Sequence, residues 1–273
     1  MGNTGQLYGC ITHYLSPITY KKYEMRKEWF ANWFDSPYYH ILYQKHNEQD
    51  AKKFLDILLA HLTPQYSDAE KAQLSVLDLA CGKGRHSRYM ASKGFDVTGI
   101  DLAHKSIKYA SQFEKENLTF FEHDMRKPFR INYFDFILNI FTSFGYFDKE
   151  EDNLVALKNV RSGLKADGIF ILDYFNSEWV RSTMQTDYHQ ETGGINFHIQ
   201  KHIENGHIFK TIEFEAHEKQ YHFQEKVKLF SLKEFEILFD KAGLKIIEKF
   251  GDYQLNPFNE KTSNRLIIKA IHQ

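Results

Sequence analysis

Val76-Leu77-Asp78-Leu79-Ala80-Cys81-Gly82-Lys83-Gly84-Arg85-His86 begins as an apolar run, breaks at two glycines and reopens as a helix over residues 85–92. A strand that feeds a helix through a glycine turn is the first half of a βαβ unit. The next strand is read at 95–101, and further apolar runs follow at 118–121, 134–140 and 168–173, with a helix over 150–164. Short strands alternating with helix-length segments predict a parallel sheet covered on both faces, joined by right-handed crossovers. A helix over 232–241 that ends near Gly243, then strands at 244–250 and 265–271, complete a doubly wound, mostly parallel, seven-stranded α/β sheet.

Upstream of this core, Trp29, Phe30, Trp33, Phe34, Tyr38, Tyr39 and Tyr43 recur at three- and four-residue spacings broken at Pro37, which predicts two short helices. Phe54, Leu55, Leu58, Leu59 and Leu62 share one stripe of a helix over 48–62 that packs on the sheet. Between 176 and 231 the period changes to two. Ile195, Phe197 and Ile199, then Phe209, Ile212 and Phe214, then Phe223, Val227, Leu229 and Phe230 alternate with polar residues, and Asn205-Gly206 marks a hairpin turn. This predicts an antiparallel β insertion beside or over the parallel sheet, with too small a core to stand alone.

The 273 residues carry a net charge of −1, a pI near 6.9 and 42% apolar residues, so the chain has no general pull toward phosphate backbones or anionic membranes. Tyr20-Lys21-Lys22 and Lys45-His46 are short basic patches on a solvated face. No run of about 18 apolar residues argues for a membrane span. Gln6 fails the myristoylation pattern after Met1-Gly2, no secretory pattern is read, and Cys10 and Cys81 are the only cysteines, so the expected setting is soluble, reducing and cytoplasmic.

At the turn, missing side chains at Gly82 and Gly84 would let a ligand approach the backbone, and helix-start amides would face it. Asp78 adds a carboxylate suited to an ammonium group and unsuited to a diphosphate. Asp101 ends the second strand where an acid can accept from both ribose hydroxyls. Glycine turn and distal acid together serve S-adenosylmethionine or a nicotinamide dinucleotide. His123-Asp124-Met125 follows the third strand, where a carboxylate can accept from an adenine amino group and the next amide can meet a ring nitrogen. The alternative for Asp124 is a helix N-cap, and both roles can coexist.

With these pieces in order, residues 76–176 resemble the core of the class I S-adenosylmethionine-dependent methyltransferases. The run from Val76 to His86 is similar to the family's first motif, Val97-Thr-Gly-Ile-Asp101-Leu102 to its second and Asp124-Met125 to its adenine motif. Leu138-Asn139-Ile140-Phe141 resembles the fourth-strand motif, and Leu164-Lys-Ala-Asp-Gly168 the last. Ala80 departs mildly from a common glycine. Phe144-Gly145-Tyr146-Phe147, Gly251-Asp252-Tyr253 and Pro257-Phe258 are similar to bacterial small-molecule members with a β insertion after the fifth strand.

The resemblance implies S-adenosyl-L-methionine as cofactor, held by Asp78, Ala80, Gly82, Gly84, Asp101, Leu102, Asp124, Met125, Asn139 and Tyr39, and methyl transfer to N or O of a small-molecule acceptor. It divides the chain into an arm and helical lid (1–66), a cofactor-binding core (67–175), an insertion near the acceptor (176–230) and a closing core segment (231–273). Phe141 to Tyr146 are expected to border the acceptor, and Asp173, Tyr174 and His86 are the candidates for a general base. Tyr39 and Tyr43 would face the sulfonium from the lid, unless the aromatic stripe is simply a buried face. His198, His202, His207, His217 and His222 lack ligand spacing, so no metal is expected. RNA or protein methylation, a non-catalytic cofactor-binding module and a nicotinamide enzyme are the competing readings; the near-neutral charge counts against RNA.

Overall fold

The computed structural model describes residues 31–43 and 48–273. The expectations for the N-terminal arm, Trp29, Phe30 and Lys45-His46 lie outside these residues. Two short helices, α1 (Ala31–Phe34) and α2 (Pro37–Leu42), are separated by Ser36, whose hydroxyl caps α2. They precede α3 (Glu48–Leu62) and α4 (Asp68–Lys71). The core then runs β1 (Ser75–Leu79), α5 (Arg85–Ser92), β2 (Asp96–Asp101), α6 (His104–Ala110), β3 (Leu118–Glu122), β4 (Phe134–Asn139), α7 (Glu150–Gly163) and β5 (Leu164–Phe175). It is followed by α8 (Ser177–Thr183), β6 (Asp187–Thr192), β7 (Ile195–Glu204), β8 (His207–Ala216) and β9 (Lys219–Lys228). The chain closes with α9 (Leu232–Ala242), β10 (Leu244–Phe250) and β11 (Arg265–His272).

The seven-stranded sheet has the order β10-β11-β5-β4-β1-β2-β3, and β11 alone runs against its neighbours. Strands β1, β2, β4 and β5 read as continuous apolar runs because both faces are covered. On one face Leu77, Ile137 and Leu172 meet Leu157 and Val160 of α7 and Phe235 and Phe239 of α9. On the other, Val76, Val97 and Leu138 meet Leu55 and Leu58 of α3 and Met90 of α5. The amphipathic helix expected to pack on the sheet does so. From β1 the chain goes to β2 and β3 on one side, while β4 and β5 lie on the other, and the crevice between the diverging loops opens beyond the strand carboxyl ends.

The insertion is a second sheet, β6-β7-β8-β9, and not an extension of the first. Its strands are joined by three two-residue turns, Gly193-Gly194, Asn205-Gly206 and His217-Glu218, all at positive φ, as tight hairpins require. Phe197, Ile199, Ile212 and Phe214 on its inner face are closed by Trp33 and Leu42 from α1 and α2. The small core predicted for the insertion is thus completed by the N-terminal aromatics. Two details differ from the sequence reading. α8, capped by Asn176, occupies the start of the expected insertion, and Phe230 lies beyond β9 in the main core. Among the described residues no helix is long and apolar enough to cross a membrane.

Candidate functional site

The glycine turn is held at both ends. Cys81 N–H donates to Ile100 O (3.0 Å) and Gly84 N–H to Cys81 O (3.0 Å). Gly82 N–H donates to Asp101 Oδ2 (2.8 Å), while Asp101 Oδ1 accepts from Ala103 N–H (2.7 Å). The ends of β1 and β2 are therefore tied through one carboxylate. Burial raises the Asp101 pKa, against the opposing pull of those amides.

The two glycines do different work. A Cβ on Gly82 would meet nothing within 4 Å, and this residue lines the crevice. A Cβ on Gly84 would lie 2.5 Å from the Phe120 ring, so its missing side chain serves the contact with β3, and Gly84 does not line the crevice. Asp78 is also set back. Its carboxylate is buried, accepts from Ser87 Oγ (2.5 Å) and is pushed up to about 6 by burial. It lies behind the turn rather than facing a ligand.

One crevice of about 1130 Å³ collects Ala80, Gly82, Asp101, Leu102, Asp124, Met125 and Tyr39. Pockets that enclose one drug-sized ligand run to about 300–1,000 Å³. This one has room for two reactants. Asp124 lies in a turn with no helix after it, which rules out the N-cap role. It accepts from Arg126 N–H (2.9 Å), Nε (3.1 Å) and the guanidinium NH2 (2.8 Å), and Arg126 also bridges to Asp152 (3.0 Å). Burial would raise the Asp124 carboxyl, but the Arg126 bonds outweigh it and hold the pKa below its usual value.

Asn139 is fully buried at the end of β4, outside the crevice lining; its Nδ2 donates to Leu79 O (2.8 Å) and its Oδ1 has no hydrogen-bond partner. Beyond it Phe141 and Thr142 both adopt left-handed backbone (φ 65° and 59°), uncommon for such side chains. They are held by Asp173, whose Oδ2 accepts from Phe141 N–H (2.9 Å), and by Arg265, which donates to Thr142 Oγ1 (2.9 Å).

The three expected general bases are otherwise engaged. Asp173 is fully buried, receives Arg265 (2.7 and 2.8 Å) and Tyr253 Oη (3.2 Å), and does not line the crevice. Tyr174 is fully buried, donates to Lys228 O and is likewise absent from the lining. His86 lines the crevice and stacks on Phe141 (5.0 Å), but burial and then Arg85 lower its pKa to about 3, and Nε2 already accepts from Arg85 Nε (3.0 Å). Phe144 is a core residue; the rest of the expected acceptor border, Phe141, Thr142, Ser143, Gly145 and Tyr146, reaches the crevice. Among the described residues no cluster of metal-ligating groups occurs.

The far wall holds residues that the sequence reading passed over. Glu225 of β9 accepts from Trp33 Nε1 (2.6 Å) and Tyr43 Oη (2.7 Å), fastening the N-terminal helices to the insertion. Lys210 Nζ donates to the same hydroxyl (2.5 Å). Glu225, Lys210 and Lys201 all line the crevice. The signal for them was a charge on the inward phase of three otherwise apolar strand faces.

With this geometry, residues 76–168 match the model of a methyltransferase domain. That match is confined to the core segment, and the fold around it is shared with S-adenosylmethionine-dependent methyltransferases of known structure. It is 35% identical over 105 residues to a putative methyltransferase of Bacillus subtilis, covering 37% of this chain and 42% of that protein. It is 23% identical over 219 residues to a dTDP-3-amino-3,4,6-trideoxy-α-D-glucopyranose N,N-dimethyltransferase of Streptomyces venezuelae, covering 76% and 89%. A crystal structure of an S-adenosylmethionine-dependent methyltransferase from Clostridium acetobutylicum superposes with a TM-score of 0.70 at 18% identity, covering 88% of this chain and 98% of that one. The chain spans about two fifths of the length of the first curated relatives it matches.

Proposed function

We propose that the protein transfers a methyl group from S-adenosylmethionine to a nitrogen of a small-molecule acceptor. The observation that carries this reading is a single crevice with a glycine turn and carboxylate at one end and the insertion sheet at the other. The open space over Gly82 and the crevice-facing carboxylate of Asp101 fit an adenosyl donor. Ala80, Gly82, Asp101, Leu102, Asp124, Met125 and Tyr39 would hold it, with Asp78, Gly84 and Asn139 shaping the turn and strand ends behind them. When bound, S-adenosylmethionine supplies an activated methyl on a sulfonium.

The chain's own contribution is placement. Transfer of this kind is accelerated chiefly by holding the reactants in line in a dry pocket. No free base faces the crevice from Asp173, Tyr174 or His86. Burial raises the pKa values of Tyr39, Tyr43 and Tyr146, so at neutral pH these hydroxyls remain protonated donors. Such a site suits an amine that arrives already unprotonated better than an alcohol that must be deprotonated. The amino-sugar dimethyltransferase similarity accords with a nitrogen acceptor.

Calorimetric titration of the whole protein with S-adenosylmethionine and with NAD tests the donor. Binding of the first alone is expected, and tight NAD binding without S-adenosylmethionine overturns the reading. Formation of the demethylated donor with a panel of small amines, and its absence with the matching alcohols, tests the acceptor.

A further inference from the structure

The inner face of the insertion carries three successive rungs across β7, β8 and β9. Ile199, Ile212 and Phe223 make the first, and Ile203, Ile208 and Val227 the third. Between them, in register, stand Lys201, Lys210 and Glu225. Two lysines directly opposite each other on neighbouring strands repel, and an apolar face gives them little water to screen that repulsion. Packing does not require them.

A single carboxylate serves the pair, and it is committed to one side. Glu225 lies 3.8 Å from Lys210, and the two are nearly buried. Glu225 also receives Trp33 and Tyr43. Lys201 has no carboxylate within ion-pairing distance among the described residues; its ammonium lies 4.9 Å above the Tyr188 ring. Burial lowers its pKa, against the opposing attraction of Glu225. The rung carries one positive charge in excess, and it faces the same crevice as Gly82 and Asp101.

We propose that Lys201, assisted by Lys210, binds an oxyanion, carboxylate or phosphate, carried by the methyl acceptor. The anion completes the charge balance of the rung, and the ammonium gives it charge-assisted hydrogen bonds. This assignment of substrate class rests on the reading of the crevice as a methyl-transfer site, whereas the anion site itself rests on the rung.

Calorimetry on the full chain at low salt, with inorganic phosphate and with acetate as probes, tests it. Saturable binding of at least one anion is expected, weakened about tenfold or more by Lys201→Met and retained by Lys201→Arg. Preference for phosphate or for acetate identifies the acceptor as a phosphate ester or a carboxylate. S-adenosylmethionine binding is measured on the same samples and should be unchanged by either substitution. Its loss from the unsubstituted protein with anion binding intact overturns the donor reading alone. In the unsubstituted protein, mass spectrometry after lysine acylation should show Lys201 protected by the anion while exposed Lys245 is not. Equal anion binding by wild type and Lys201→Met, failure of both anions to bind, or no protection of Lys201 overturns the anion site.

Discussion

Gly82 and Gly84 sit two residues apart, both at positive φ, yet substitution separates them. Gly82→Ala meets no neighbour, so its stability cost is the left-handed backbone, about 1–2 kcal/mol, while the added methyl enters the crevice and weakens donor binding. Gly84→Ala adds overlap with Phe120 and should lose roughly 2–5 kcal/mol. Denaturant unfolding and calorimetry on the two variants read these effects separately. The spacing of the glycines was legible in the sequence; which way each missing side chain faced was not, because that depends on Phe120 arriving from another strand. Asp78 makes a second test. Its folded pKa of about 6 exceeds the ordinary carboxyl value of 3.8, so the folded chain binds the extra proton between them. The stability it contributes below about pH 4 is lost as pH rises through 6. Asp78→Asn should flatten that fall and leave the protein more stable at pH 7 by on the order of 2–3 kcal/mol, as read by unfolding at a series of pH values. His86 has the opposite sign: depressed to about 3, it costs stability as pH falls below 6.5.

At the level of elements, the turn after β4 is strained and over-determined. Two left-handed residues, Phe141 and Thr142, are pinned by Asp173 and Arg265, which come from β5 and β11. Asp173→Asn removes the charge opposite a largely buried guanidinium and should cost about 3–5 kcal/mol in unfolding free energy. A residue acting only as a base would slow turnover without that loss, so the comparison separates positioning from proton transfer. The sequence showed an acid at the end of the fifth strand, but its partner lies 92 residues away on a strand that runs the other way. The parallel strands were readable because burial on both faces leaves uninterrupted apolar runs. α8 was not, since seven residues beginning Ser177-Glu178 hold too little period to separate from a strand edge.

Across the whole molecule, the N-terminal helices belong to two layers. α3 packs on the parallel sheet, while α1 and α2 close the insertion and bring Tyr39 and Tyr43 to the crevice. The aromatic stripe is thus both a buried face and part of the pocket wall. Trp33→Ala removes a nearly fully buried ring and the Glu225 contact together, a loss of about 3–5 kcal/mol. Hydrogen exchange followed by mass spectrometry should show faster exchange over β6–β9 and little change over β1, β2, β4 and β5. Uniform acceleration across both sheets would mean that they unfold as one unit. The charged rung was hidden for a related reason: Lys201, Lys210 and Glu225 become neighbours only when the register of three strands is known.

The outer sheet leaves the core after α8 and rejoins it before α9, so the whole rung is encoded in one uninterrupted stretch of chain. Heredity can therefore treat it as a cassette. Recombination at two points would replace one wall of the crevice while the glycine turn, its carboxylates and their supporting strands pass through unaltered.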